Sequence, residues 1–252
     1  MTERLQIISL NVDHLDFNQS LEQVAEMALK RSSSYICFAN VHMTIEAYKD
    51  KSFLEKINKA DLVFADGKPI AFACQLLHHK KQQRVSGMDF TPSLLEKANE
   101  KDLSVFIYGS TEAVIMAMKE KIVANFSRIQ FAGAISPPFR PPTEDEVKND
   151  IEKINRSGAH IVLVSLGCPK QEKWMAENSD KINAVLLGIG GALPVVAGIQ
   201  KRAPKWMQNM GLEWFYRLLQ QPGRLFTRYF YTNSYFVFLL GRDWIKSIFK
   251  KQ

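Results

Sequence analysis

Asp66 is a residue of this 252-residue chain that could move a proton. It follows the apolar run Leu62-Val-Phe-Ala65 and precedes Gly67, where a buried strand gives way to a turn. A carboxylate held there by its neighbours can act as a general base towards a hydroxyl. Asp-Gly is equally an ordinary turn pair that needs no chemistry. Four more strand-ending turns could face the same cleft: 40–42, Gly109-Ser110, 167–172 and 188–192. Small residues there let backbone N–H groups approach an anion, and helix N-termini favour its charge. In the third of these turns Gly167 closes the β-branched run 161–166, and Pro169 has the fixed φ of a first helical turn. Lys170, Gln171 and Glu172 then fall at the carboxyl edge of a sheet, where open α/β folds bind ligands. His42 is a second polar group at that edge. Arg84, Arg217, Arg224 and Arg228 carry guanidinium groups suited to clamping a diphosphate, although each taken singly reads as a surface arginine.

Several chemistries are excluded. Gly188-Ile-Gly190 opens like a dinucleotide fingerprint, but Leu193 holds the third glycine position and no acid follows at the expected distance. There is no G-x-x-x-x-G-K-[ST] loop, and no D-x-D, the usual metal-chelating motif of sugar-nucleotide transferases. Cys37, Cys74 and Cys168 are odd in number and far apart, which argues against a disulfide framework or a zinc site and fits a reducing compartment. No cofactor and no metal are expected.

The elements that must position these residues alternate. Strands are expected at 34–39, 61–65, 103–108, 128–132, 161–167 and 184–188. Helices are expected at 18–30, 43–48, 52–59, 68–79, 92–99, 111–126 and 143–155, and after Pro169. Thr143 with Glu146 three residues on makes a capping box, and Ser136-Pro-Pro-Phe-Arg-Pro-Pro142 a rigid loop. Six strands alternating with helices predict an α/β fold with a doubly wound, mostly parallel, Rossmann-like sheet over residues 1–200.

Residues 201–252 differ. Ten Lys/Arg stand against Glu213 and Asp243, so this segment holds +8 of a net +7 and the remainder about −1. Short helices are expected at 204–209 and 211–220, then a long one over 223–250 with nine aromatics. Arg242, Lys246 and Lys250 share one of its faces, with Ile245, Ile248 and Phe249 on the other. A basic, aromatic helix reads either as an interfacial membrane helix or as one packed on the body with a solvated face. A basic tail on a near-neutral body implies an anionic partner, whether nucleic acid, membrane or phosphate. With no apolar leader at the N-terminus and no run of about 20 apolar residues, a cytoplasmic location is expected.

The residues Asn40 with His42, Ala65-Asp66-Gly67, Arg84-Val-Ser-Gly-Met-Asp89, Gly167-Cys-Pro-Lys-Gln-Glu172, 188–198 and Lys201-Arg-Ala-Pro204 recur in that order in the WecG/TagA/CpsF glycosyltransferases. Leu212-Glu-Trp-Phe-Tyr-Arg217 and Gln221-Pro-Gly-Arg224 extend the resemblance over about residues 34–230. The resemblance implies inverting, metal-independent transfer of a sugar, N-acetylmannosamine in the best-understood members, from UDP to undecaprenyl-diphospho-N-acetylglucosamine. It implies Asp66 as base, Asn40 and Arg84 lining the sugar and phosphate site, and Gln171 holding the donor. Arg217, Arg224 and Arg228 would lie in a C-terminal appendage folded over the site at the inner membrane face. A UDP-sugar, a polyprenyl-diphosphate-linked acceptor and an anionic membrane surface are thus the expected partners. Nucleic acid is not expected, and self-association is left open. The chain departs from the family at Phe38, where many members carry Thr, so a hydroxyl that could touch the sugar is missing. Another UDP-hexose or UDP-uronic acid donor, a basic nucleic-acid-binding module and an NAD-dependent oxidoreductase are the competing readings.

Overall fold

Six apolar runs of four to six residues pair into one all-parallel sheet in the computed structural model, which describes residues 2–249. In chain order the elements are β1 (Arg4–Ile7), β2 (Leu10–Asp13), α1 (Phe17–Leu29), β3 (Ser34–Ala39), α2 (Val41–Lys49), α3 (Lys51–Asn58), β4 (Leu62–Ala65) and α4 (Lys68–His78). Then come α5 (Gly87–Glu100), β5 (Ser104–Gly109), α6 (Glu112–Asn125), β6 (Gln130–Ile135), α7 (Glu144–Arg156), β7 (Ile161–Ser165), α8 (Lys170–Asn178), β8 (Val185–Gly188) and α9 (Leu193–Val196). The chain ends in α10 (Lys205–Met210), α11 (Glu213–Gln220) and α12 (Pro222–Phe249).

The strand order is β4-β3-β8-β7-β5-β6. Along β3, β4, β5, β7 and β8 alternate residues bury on opposite faces, as a pleated strand requires. Cys37, Val63, Val164 and Leu186 face α2, α3, α4 and α8, while Ile36, Phe64, Leu163 and Leu187 face α1, α5, α6 and α9. The doubly wound α/β expectation therefore holds. Phe38 is on the second face, edge-on to Phe64 and Phe90 with ring centroids 5.5 Å from each. It fills core rather than facing the strand end.

The chain opens with an element for which the sequence pattern predicts nothing, an antiparallel hairpin of β1 with β2. Buried Asp13 fastens it, accepting from Val63 N at 2.7 Å and pairing with Arg4 at 3.1 Å. Helix α5 begins at Gly87, five residues before the Pro92 expected to open it, because Pro92 is carried inside the helix. The capping box at Thr143 and Glu146 is present.

Helix α12 is not a free appendage. Phe236, Leu239 and Leu240 join the core that α2 and α4 share, and Tyr235 stacks edge-on to Tyr48 at 5.7 Å. Arg242 donates to the Tyr48 hydroxyl at 3.2 Å and to Asp243 at 2.8 Å. It is therefore tied to the body rather than part of a free basic ridge, and Lys250 of that ridge lies outside the described residues. A second, neighbouring face of α12 is bare. Phe226, Phe230 and Val237, at i, i+4 and i+11, are 61%, 70% and 68% exposed. No helix of the described residues is long and apolar enough to cross a membrane.

Candidate active site

All six strands run the same way, so their C-terminal ends form one edge. This alone brings the five candidate turns into a row. The connection after β5 runs outward to β6 and that after β7 runs inward to β8, so the topological switch lies between these two strand ends. Crevices of that kind are where doubly wound sheets hold ligands. Gly109 and Ser165 stand on its two sides. Gly109 has φ +100°, and a Cβ there would lie 2.6 Å from the Ser165 carbonyl oxygen, so the glycine is set by close backbone approach.

Asp66 sits at the other end of the row, half-buried past β4, its N–H donating to Ala39 O at 2.8 Å. Asn40 is the N-cap of α2, and its Oδ1 accepts from Met43 N at 3.1 Å. That leaves the amide nitrogen to donate to the Asp66 carboxylate, an interaction that favours the ion. Burial outweighs it and raises the Asp66 carboxyl to about 6, against the pull of Arg84 and Arg217 and with a push from Glu213. The result is a carboxylate that is ionised at neutral pH yet more basic than an exposed aspartate. A general base works best in this range.

Arg84 reaches Asp66 from the segment after α4, where Val85 N donates to Ala65 O at 2.9 Å. Its guanidinium is not free. It pairs with Asp89 and, at 2.7 Å, with Glu213. Arg202 pairs with the same two acids at 2.7 and 3.0 Å. Asp89, Arg202 and Glu213 lie within the motif set but were given no role by sequence. Their signal was a charged residue embedded in each motif. Arg217, one turn beyond Glu213 on α11, donates to the Gly191 carbonyl at 2.8 Å. Gly191 has no Cβ, which at this point would be 2.5 Å from that guanidinium.

The β7–α8 turn is arranged differently. Gln171 is 4% exposed and its amide is fully engaged. Its oxygen accepts from Gly167 N at 3.1 Å, and its nitrogen donates to Gly188 O and Glu172 Oε1, both at 2.7 Å. Gly190, with φ +46°, is a glycine because a Cβ would meet Gln171 at 2.9 Å. Gln171 thus ties the β7 and β8 turns together from beneath, rather than extending into the cleft. Glu172 is 0% exposed, and burial raises its carboxyl to about 7. Lys170 is the exposed cation of this turn.

His42, on the first turn of α2, is half-buried and held below its ordinary pKa, chiefly by burial and then by nearby Arg228, while it also bonds to the Cys168 backbone. His42 Nδ1 and Arg228 Nε are both buried without a hydrogen-bond partner. Arg224, two residues into α12, is exposed. The structure thus brings Asp66, Asn40, Arg84 and Arg217 into one cluster and His42 with Arg228 into a second. Gly109, Gly167, Gln171, Glu172 and Gly190 form the floor. Among the described residues no group of three or more His, Cys, Asp or Glu side chains is placed to hold a metal ion.

A doubly wound parallel sheet whose carboxyl edge sets a shielded carboxylate among arginines defines an enzyme class that handles anionic substrates. Within that class the chain belongs to the glycosyl transferase WecG/TagA/CpsF family, whose model matches residues 5–249, and it is a glycosyltransferase of the hexosyltransferase type. It is 31% identical over 196 residues to the N-acetylglucosaminyldiphosphoundecaprenol N-acetyl-beta-D-mannosaminyltransferase of Bacillus subtilis (strain 168), covering 77% of this chain and 75% of that one. The protein of the same name from Bacillus spizizenii is also 31% identical, over 77% of this chain and 74% of its own.

Proposed function

We propose that this protein transfers N-acetylmannosamine from UDP to a polyprenyl-diphosphate-linked N-acetylglucosamine, with inversion at the transferred carbon. The observation that carries the reading is Asp66, a half-buried carboxylate raised to about 6 and flanked by two arginines at the sheet edge. The relatives named above give the substrates. Asp66 takes the proton of the acceptor hydroxyl as that oxygen attacks the anomeric carbon, and the bond to the UDP oxygen breaks with its electrons leaving on the diphosphate. Asn40 aligns the base. Arg217, assisted by Arg224 and Arg228, offsets the charge that builds on the leaving group. The β5–β7 crevice takes the nucleoside. It lies three to four strand spacings from Asp66, roughly 14–19 Å, a separation that a diphosphate and its sugar bridge.

On this reading residues 1–200 are the catalytic unit and 201–252 an appendage that rests on the inner face of the membrane. The bare face of α12 supports it, together with exposed Trp206, Met210 and Leu219 on α10 and α11. Exposed apolar side chains in this number call for a partner, and the acceptor is lipid-bound. The test is transfer by the purified full chain from UDP-N-acetylmannosamine and a panel of UDP-sugars to a lipid-diphosphate acceptor, with product mass and anomeric configuration read. The β-linked N-acetylmannosamine product is expected. A different sugar transferred revises the donor, and no transfer from any UDP-sugar sinks the reading.

A further inference from the structure

We propose that Glu213 is a positioning residue of this transferase, holding Arg84 and Arg217 in register on Asp66 as one corner of a closed ion ring. The proposal rests on the transferase reading above. Arg84 and Arg202 each pair with both Asp89 and Glu213, and each carboxylate gives one oxygen to each arginine. Asp89 Oδ2 and Glu213 Oε2 serve Arg84, while Asp89 Oδ1 and Glu213 Oε1 serve Arg202. The four charges cancel. What the ring supplies is geometry.

The ring joins two parts of the chain that are far apart in sequence, 84–89 and 202–213. Arg84 lies against the strand end that carries Asp66. Asp89 is in the first turn of α5 and also accepts from Ser86 Oγ at 2.8 Å. Arg202 is in the link that follows α9, and Glu213 opens α11. Glu213 is the only buried residue of α11, and no apolar side chain of that helix is fully buried. The helix also meets α12 through Trp214 and Tyr229, edge-on at 6.0 Å, but its one buried residue is a carboxylate held by ion pairing. Glu213 at the helix N-terminus is also favoured by the helix dipole. One turn on, Arg217 bonds to Gly191 and lies within electrostatic reach of Asp66. Releasing Glu213 therefore frees the helix that presents Arg217 and loosens Arg84 at once.

The groups facing Asp66 are Asn40, Arg84, Arg217 and Glu213, and the two arginines act on it more strongly than Glu213 does. This fixes the sign of the test. In Glu213→Gln, losing only the acid's charge, with α11 in place, moves the acid limb of the kcat/KM–pH profile to lower pH. Losing Arg217 from the site as well outweighs that and moves the limb to higher pH.

The experiment measures turnover, donor KM and pH profile for Glu213→Gln, Glu213→Asp, Arg217→Ala and the Glu213→Gln/Arg217→Ala double variant, all in the full chain. The expected result is a fall in kcat/KM on the order of 10–100-fold for Glu213→Gln, the size a misplaced catalytic group produces. With it come an upward shift of the acid limb, partial rescue by Glu213→Asp, and a double variant no worse than the poorer single one, since coupled residues are not additive. A downward or absent shift, or losses that multiply, overturns the proposal. Should Glu213→Gln unfold below assay temperature, Arg202→Gln, which removes the neighbouring corner that pairs with Glu213, must reproduce the upward shift. Wild-type turnover separates the two readings. An inactive wild type defeats the transferase assignment, whereas an active wild type matched by Glu213→Gln defeats only the ring.

Discussion

The β4–α4 and β7–α8 turns stand at the same sheet edge with β3 and β8 between them, and on paper they are near twins. Each follows a short apolar strand and holds a glycine at positive φ, Gly67 at +99° and Gly167 at +81°. Each then places a lysine and a proline at the start of a helix, with a carboxylate nearby. In space they are opposites. The carboxylate of the first, Asp66, stands half-exposed among cations that come from elsewhere in the chain. The polar groups of the second, Gln171 and Glu172, turn inward and bond to one another and to the strand ends. A polar residue at a sheet edge is available for chemistry only if its own turn leaves it unsatisfied. Its type and spacing do not reveal this, whereas its partners do.

The contrast breaks most sharply at Asp66. Asp66→Asn keeps the shape and one acceptor oxygen but removes the base, and turnover is expected to fall about 10²–10⁴-fold. Stability should not fall, because burial already disfavours the charge that is being removed. In the wild type kcat/KM rises as pH passes upward through about 6, where the carboxyl gives up its proton. Initial rates across pH 5–8 with thermal unfolding of both proteins check this. Near-wild-type turnover in a folded Asn variant would remove Asp66 as the base.

The sheet was legible because its strands are mostly apolar runs ended by glycine or a polar turn, and five of the six form within two residues of their expected limits. The exception is β6, expected at 128–132 and formed at Gln130–Ile135, where Gln130 and Gly133 interrupt the apolar pattern. The β1–β2 hairpin was not legible. Its strands are four residues each, and its turn is Ile8-Ser9, with Ile8 at φ 60° where a sequence reader looks for Gly or Asn. The start of α5 was missed because Pro92 suits a first turn but is tolerated deeper in the helix. At the site, Asp66 and Arg84 were found as single residues. The ring that holds Arg84 was not, because Arg84 and Glu213 are 129 positions apart and only the fold makes them neighbours. Gln171 was found for its place in a turn, and only its buried hydrogen bonds show what it does there.

The second turn sharpens the comparison through stability rather than rate. Burial raises Glu172 from 4.5 to about 7, so the folded protein holds this proton more tightly than the unfolded chain does. The stabilisation is complete below pH 4.5 and is lost as pH rises through about 7. At roughly 1.4 kcal/mol per unit the wild type forfeits about 3 kcal/mol between those limits from this one group. Glu172→Gln keeps an oxygen for Gln171 and has no proton to lose. The variant should therefore gain on the wild type by up to that amount between pH 5 and pH 8, measured by urea unfolding at each pH, with turnover changed less than tenfold. A flat difference across that range would show that Glu172 is ionised in the fold, and the two turns would then be more alike than the structure makes them.

The bare face of α12 belongs to neither arrangement, since its side chains are unsatisfied in the apolar sense rather than the polar one. Phe236, Leu239 and Leu240 already anchor the helix on its buried face, so stability does not require Phe226, Phe230 and Val237 to be apolar. Exposed positions of this kind cost about 0.5 kcal/mol or less when replaced. Changing all three to Ser should therefore leave the unfolding midpoint almost unmoved. If the face meets lipid, each lost side chain also removes apolar area from that contact, and together they should weaken sedimentation with anionic vesicles by about tenfold or more, equal to at least roughly 1.4 kcal/mol. Arg242, held by Tyr48 and Asp243, has little left to offer the membrane, so the apolar stripe should matter more than the charge at this position. Vesicle binding that survives the triple replacement but falls with rising salt would reverse that order and move the contact to the free cations of the segment, Arg224 first among them.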